Sequence, residues 1–160
     1  MARPEVLRLI VARDEHFAWM LGEGPAPEPL SLPPGVVDEP WVLRWLRSTL
    51  PAVAGRSWLM VAGGEVVGLC GHKNPPTADG VADIGYGVAP ERRRLGFATC
   101  AVTMIIEAAR ADAAIVALTA ETALANLPSQ RVLSANGFAK VGLSHDRDEG
   151  EVIVWRLETG

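Results

Sequence analysis

The chain has 160 residues, 49% of them hydrophobic, and a formal net charge of −4. This length favours one domain over residues 1–160, and the composition favours a packed core over a disordered chain. The negative charge argues against general nucleic-acid binding, although Arg92–Arg94 is a local basic cluster. No apolar run reaches the length of a membrane span, the two cysteines lack metal-ligand spacing, and no secretory signal opens the sequence. We therefore expect a cytoplasmic protein without a membrane or metal partner.

Apolar periodicity, interrupted by proline and glycine, predicts short strands and helices along the whole chain. Their order is one strand, two helices, three strands, a helix, a strand, a helix and two strands, which indicates a mixed sheet with helices on both faces. The strands are predicted at Val6–Val11, Ser57–Ala62, Val66–Gly71, Val81–Val88, Ile115–Thr119, Phe138–Leu143 and Val152–Leu157. The helices are predicted at Asp14–Leu21, from a cap at Asp38 to Pro51, at Gly96–Ala111 and at Asn126–Asn136, with a proline-rich loop at Gly24–Gly35.

The turn between the strand Val81–Val88 and the helix that begins near Gly96 is the most informative segment. It is rich in arginine and ends in two small residues, Gly96 and Ala98. Backbone N–H groups at a helix N-terminus bind phosphate, and a bulky side chain there would hold the phosphate away from them. The helix dipole adds about half a positive charge at the same point. We interpret this turn as the pyrophosphate cradle of a nucleotide-type cofactor.

Two motifs in this region carry a family resemblance. The first reads Arg93-Arg94-Leu95-Gly96-Phe97-Ala98, and the second runs from Asn126-Leu127-Pro128-Ser129 to Gly137-Phe138. Together, at strand–helix–strand–helix spacing, they resemble the GNAT superfamily of N-acetyltransferases. The patterns Ile84-Gly85-Tyr86 and Gly96-Phe97-Ala98-Thr99 are most similar to the ribosomal-protein-alanine branch, the RimJ/RimL type.

The resemblance implies an α/β (α+β) fold with a mixed, mostly antiparallel sheet of about seven strands. Helices would cover both faces, and a splayed pair of parallel strands would bind the cofactor, acetyl-CoA. The residues implied to hold acetyl-CoA are Tyr86, Gly87 and Val88 for the pantetheine arm, Arg93, Arg94, Leu95, Gly96, Phe97, Ala98 and Thr99 for the pyrophosphate, and Asn126 and Ser129 near the pantetheine and sulfur. Three alternatives stay open: Arg93 as a solvated charge, Gly85 and Gly87 as packing residues, and Asn126 as a helix cap as well as a ligand.

The chemistry needs a base for the amine and a proton donor for the thiolate. By its position after the fifth predicted strand, Glu121 resembles a glutamate that accepts the amine proton through water in the ribosomal branch, and Asp83 is the alternative base. Many relatives carry a tyrosine general acid seven residues after the motif asparagine, but here that position is Leu133. The resemblance to the ribosomal branch makes Ser129 the candidate to hydrogen-bond the sulfur, and Ser134 is a weaker one. The Val88 N–H is the expected oxyanion donor.

The predicted function is acetyl-CoA-dependent N-acetylation of a primary amine, on a protein N-terminus or a small molecule, by direct attack in a ternary complex. The alternative is a non-catalytic acyl-CoA-binding regulatory module, which would bind the cofactor without turnover. His72, at a strand end, is a weaker candidate for contact with the acceptor. Relatives allow a homodimer, and the sequence itself does not demonstrate one.

Overall fold

The computed structural model describes residues 6–36 and 39–160. The elements follow the predicted order. They are β1 (Arg8–Val11), α1 (Asp14–Met20), α2 (Pro40–Val53), β2 (Ser57–Ala62), β3 (Glu65–His72), β4 (Val81–Val88), a 3₁₀ turn (Pro90–Arg92), α3 (Phe97–Arg110), β5 (Ala117–Ala123), α4 (Leu127–Ala135), β6 (Ala139–Asp146) and β7 (Gly150–Glu158). The predicted cap at Asp38 lies outside the described residues.

The strands form one seven-stranded sheet in the order β1-β2-β3-β4-β5-β7-β6. Neighbouring strands are antiparallel except β4 and β5, which run parallel. This pair is short, because Val81–Asp83 match Ala117–Thr119 and no pairing follows. The two strands therefore separate in the middle of the sheet, as predicted for this fold.

Helices cover both faces of the sheet, and β2 shows how its sequence divides the core. Successive side chains of a strand point to opposite faces. Leu59 and Val61 belong to one buried cluster, and Met60 and Ala62 belong to another. The first cluster contains Phe17 of α1 and Leu43 of α2, and the second contains Val102 and Ile105 of α3 and Leu133 of α4. We call these sides the α1/α2 face and the α3/α4 face.

Several predicted boundaries differ from the structure, and two of them have a clear physical reason. The strand expected at Ile115–Thr119 runs from Ala117 to Ala123. Ile115 instead closes the turn after α3 with an N–H bond to the Asp112 carbonyl, while residues 120–123 are held in the sheet by β7. The composition of residues 120–123 does not predict this pairing, because the intrinsic β propensity of a residue matters less than its cross-strand neighbours. Helix α2 also continues through Pro51 to Val53, since a proline in the last turn removes only one hydrogen bond.

Candidate active site

The edge of β4 is unpaired where the sheet opens. On the β3 side, the Asp83 carbonyl accepts from the Lys73 N–H and the Ala89 N–H donates to the Val67 carbonyl, both at 2.8 Å. Backbone groups alternate in direction along an antiparallel strand. Those of Tyr86 and Val88 therefore point away from β3, into the gap left by β5. Gly87 turns its backbone towards β3, and a Cβ added there would meet no atom within 4 Å.

Arg93 ties the following loop to this edge. Its Nε donates to the Val88 carbonyl at 3.1 Å, which leaves the Val88 N–H facing the gap. Its neighbour Arg92 instead forms a two-bond ion pair with Glu65, at 2.6 and 3.0 Å. The two adjacent arginines thus have different positions, and only Arg93 borders the gap.

The N-terminus of α3 is open at the end of this loop. The helix begins after Gly96, whose φ of 82° is left-handed, and no described side chain caps it. The N–H groups of Phe97, Ala98 and Thr99 have no intrahelical acceptors, because no helical turn precedes them. A Cβ at Gly96 would meet no atom within 4 Å, so the position next to these donors is open. Arg94 also has a positive φ, 65°, a strained conformation that often accompanies ligand sites.

The N-terminus of α4 is closed by its own cap. The Asn126 Oδ1 accepts the Ser129 N–H at 3.2 Å, which confirms the capping role of Asn126. The Asn126 amide N–H groups have no acceptor among the described residues and stay available for the predicted pantetheine contact. Ser129 is thereby fixed in the first turn of α4.

One contact crosses the gap between β4 and α4. The Tyr86 hydroxyl lies 2.8 Å from the Ser129 Oγ and donates to the Ser129 carbonyl at 3.1 Å. Burial raises the pKa of Tyr86, and the hydrogen bond with Ser129 offsets part of that rise, so the phenol is neutral at neutral pH. The sequence points only to the backbone of Tyr86 and not to this contact, because no local pattern joins positions 86 and 129. Leu133, at the position of the expected acid, is fully buried in the core.

The two candidate bases lie on the other side of the sheet. In β5, Leu118 and Ala120 join the core of the α3/α4 face, so Thr119 and Glu121 point to the α1/α2 face. The Thr119 hydroxyl donates to Asp83 at 2.9 Å, and the Lys73 Nζ lies 3.7 Å from the same carboxylate. Glu121 is exposed, and no described residue pairs with its carboxylate.

A cavity of about 340 Å³ opens on the α1/α2 face beside the β4 edge. Its lining is mostly apolar and includes a few charged groups. Residues that line it include Phe17, Val42, Leu43, Trp45, Leu46 and Leu69, the glycines Gly85 and Gly87, and the charged Glu39, Lys73 and Arg93. The cavity therefore meets the predicted cofactor edge at Tyr86–Val88 and extends under α2.

His72 lies at the border of the cavity, but its side chain points elsewhere. It pairs with Ile84, which belongs to the α3/α4 core, and residues directly opposite in a sheet share a face. The ring meets Trp58 edge-on with centroids 6.1 Å apart, and burial followed by the Arg56 charge lowers the His72 pKa to about 4. The structure gives no support to contact between His72 and the acceptor.

Other classes of site find little support. Within residues 6–36 and 39–160, no three His, Cys, Asp or Glu side chains lie close enough together to hold a metal ion. Across the same residues, no helix has the length and apolar character needed to cross a membrane.

Comparison with known proteins identifies the fold. Residues 6–139 match the sequence profile of the acetyltransferase (GNAT) domain. Mycobacterium smegmatis RimJ, solved in complex with CoA-disulfide, is similar with a TM-score of 0.71 and 24% identity, over 97% of this chain and 83% of that chain. The RimL ribosomal alpha-N-protein acetyltransferase, in complex with coenzyme A, has a TM-score of 0.71 and 16% identity, over 95% and 93%.

A spermidine N-acetyltransferase, a SpeG chimera from Vibrio cholerae and hSSAT, has a TM-score of 0.73 and 13% identity, over 96% of this chain and 95% of that chain. Among curated protein sequences, none matches significantly. The solved relatives share the fold but act on different amines, so the likeness does not identify an acceptor.

Proposed function

The chain belongs to the GNAT acetyltransferase family, and we propose that it transfers the acetyl group of acetyl-CoA to a primary amine in a ternary complex. One observation carries the proposal: the parallel strands separate after Asp83 and Thr119, beside the uncapped N-terminus of α3. The gap exposes strand-edge donors and acceptors, and the helix end supplies donors for a diphosphate. Acetyl-CoA brings both chemical groups, together with a thioester that is reactive towards amines.

The proposed cofactor-binding residues form two groups, one along the unpaired edge of β4 and one in the turn before α3. Backbone groups of Tyr86 and the second lone pair of the Val88 carbonyl bind the pantetheine amides, while Gly87 leaves room beside them. The amides of residues 94–99 hold the diphosphate, and Arg93 supports the cradle by anchoring it to Val88. Asn126 donates its side-chain amide to the pantetheine while it caps α4.

Glu121 is the better placed of the two bases. Asp83 is already engaged by Thr119 and Lys73, whereas Glu121 is exposed on the α1/α2 face and no described residue pairs with its carboxylate. A carboxylate there accepts the amine proton through water, and general-base assistance contributes roughly 10²–10⁴-fold. The Val88 N–H, held in place because Arg93 binds the Val88 carbonyl, donates to the developing oxyanion.

The acceptor approaches from the α1/α2 face. The cavity under α2 meets the β4 edge, so an amine bound there lies beside the expected thioester, and Glu121 points to the same face of the sheet without lining the cavity. A protein N-terminus and a small amine both have a terminal amine narrow enough to enter. The RimJ/RimL-type acceptor, a cytoplasmic location and a homodimer stay predictions.

The test is an amine panel followed by thiol release, with mass spectrometry of the product. The panel contains short peptides with free N-termini, the same peptides with blocked N-termini, a polyamine and simple alkyl amines. We expect turnover with at least one free amine and none with its blocked counterpart. Tight acetyl-CoA binding with no turnover across the panel would favour a regulatory acyl-CoA-binding module instead.

A further inference from the structure

The contact between Tyr86 and Ser129 joins the two sides of the gap where the thioester is expected. Tyr86 is the only tyrosine of the chain. Its hydroxyl reaches from β4 to the first turn of α4, at 2.8 Å from the Ser129 Oγ. Because Leu133 is buried and apolar, the hydroxyl groups near the N-terminus of α4 are supplied by Tyr86 and Ser129.

The surroundings of the pair suit proton donation to an anion. The Tyr86 phenol holds its proton at neutral pH, and burial raises its pKa further above the ordinary value. Asn126 fixes Ser129 through its N–H, so the Ser129 hydroxyl has a defined position. The N-terminus of a helix favours negative charge nearby, by about 0.3–1 kcal/mol at exposed sites.

We propose that the Tyr86 hydroxyl supplies, through Ser129, the proton taken up by the departing thiolate of coenzyme A. The inference rests on the proposed function. As the amine nitrogen bonds to the acetyl carbon, the carbon–sulfur bond breaks and the sulfur takes the Ser129 hydroxyl proton. Ser129 recovers a proton from Tyr86, whose O–H turns from the Ser129 carbonyl to the Ser129 Oγ, and solvent returns one to the phenolate. The proton lost by the amine leaves through Glu121, so one proton enters and one departs in each turnover. Tyr86 is a positioning residue, and Ser129 is the group that meets the sulfur.

The single tyrosine gives a readout that does not depend on activity. Tyrosinate absorbance of the free protein reports Tyr86 alone, and Tyr86→Phe supplies the tyrosine-free baseline. We expect a titration above the ordinary value of 10.0. Ser129→Ala removes the hydrogen bond that lowers the Tyr86 pKa, so its titration moves to higher pH. An identical titration in Ser129→Ala would show that the hydroxyls are not coupled, and would overturn the proposal.

Kinetic measurements distinguish a role of Tyr86 in proton supply from a role in merely closing the gap. Tyr86→Phe keeps the ring and removes only the hydroxyl. We expect kcat to fall about tenfold or more, within the range of acid–base assistance, with the KM for acetyl-CoA unchanged. Ser129→Ala should give a similar fall, and the double variant should be no slower than the slower single variant, because both act in one path. Thr159→Val removes a buried hydroxyl that bonds the Ile115 carbonyl away from the gap, and controls for a general loss of stability.

The outcomes distinguish this inference from the proposed function. A wild-type protein that turns over no amine overturns both. Turnover in the wild type with an unchanged kcat in Tyr86→Phe overturns only the proton path. A raised KM with kcat intact also overturns it, because the contact would then merely shape the binding gap.

Discussion

The first turns of α3 and α4 border the same gap, but they satisfy their backbone donors differently. The α4 turn is capped within the protein, by Asn126 on Ser129. The α3 turn has no side-chain cap and begins after the left-handed Gly96. An uncapped helix end needs water or a ligand for its free N–H groups. Helix α4 therefore holds its own side chains in place, whereas the first turn of α3 leaves its donors open to the diphosphate that we propose.

The largest expected effect comes from filling the open turn. Gly96→Trp places a large side chain in front of the α3 donors and strains a residue at φ 82°. Losing two or more hydrogen bonds to a charged group, at about 1.5–3 kcal/mol each, predicts a loss of acetyl-CoA affinity of more than about a hundredfold. Titration calorimetry measures it.

Gly55→Trp is the matched control for this substitution. Gly55 has nearly the same backbone conformation, φ 83°, and the same open surroundings, but it precedes β2 away from the loop. It carries the same strain and should bind acetyl-CoA like the wild type. Equal affinities for Gly96→Trp and Gly55→Trp would show that the α3 turn is not the cradle.

The second largest effect is expected for Glu121, on the α1/α2 face of the sheet, opposite α3 and α4. Glu121→Gln keeps the shape of the side chain but cannot accept a proton. We expect a rate loss of roughly a hundredfold at neutral pH, where the amine is mostly protonated, and a much smaller loss at alkaline pH, where it is already neutral. Thiol release across a pH series measures the difference.

The Asp83→Asn variant tests whether Asp83, rather than Glu121, is the general base. The Asp83 carboxylate bridges Thr119 and Lys73, so its replacement should lower stability more than rate. A pH-dependent rate loss in Asp83→Asn, with Glu121→Gln equally active at every pH, would transfer the base to Asp83.

The smallest effect separates the two roles of Asn126. Asn126→Ala removes the cap of α4 and should cost about 1 kcal/mol of unfolding free energy, measured with urea. Asn126→Asp keeps a good cap but loses the amide donor. It should be as stable as the wild type and bind acetyl-CoA several-fold more weakly. Wild-type affinity in Asn126→Asp would limit Asn126 to capping.

The sequence predicts local features of the site well and distant ones poorly. The turn Arg93–Ala98 and the cap Asn126 are recognisable because each is a short motif whose function depends on neighbouring residues. The contact of Tyr86 with Ser129 brings together distant positions through the separation of β4 and β5, which no local pattern encodes. Glu121 was expected after a strand and lies within one, because cross-strand pairing to β7 extends β5 beyond its most apolar residues.

The most direct test of the central claim follows backbone amides by NMR as acetyl-CoA is added to the wild-type protein. The account predicts large shifts and slowed exchange at Phe97, Ala98 and Thr99 and at the strand-edge amides of Tyr86 and Val88. The Ser129 amide, already bonded to Asn126, should change much less. Binding that leaves the α3 amides unperturbed would contradict the account, because the diphosphate would then be held elsewhere.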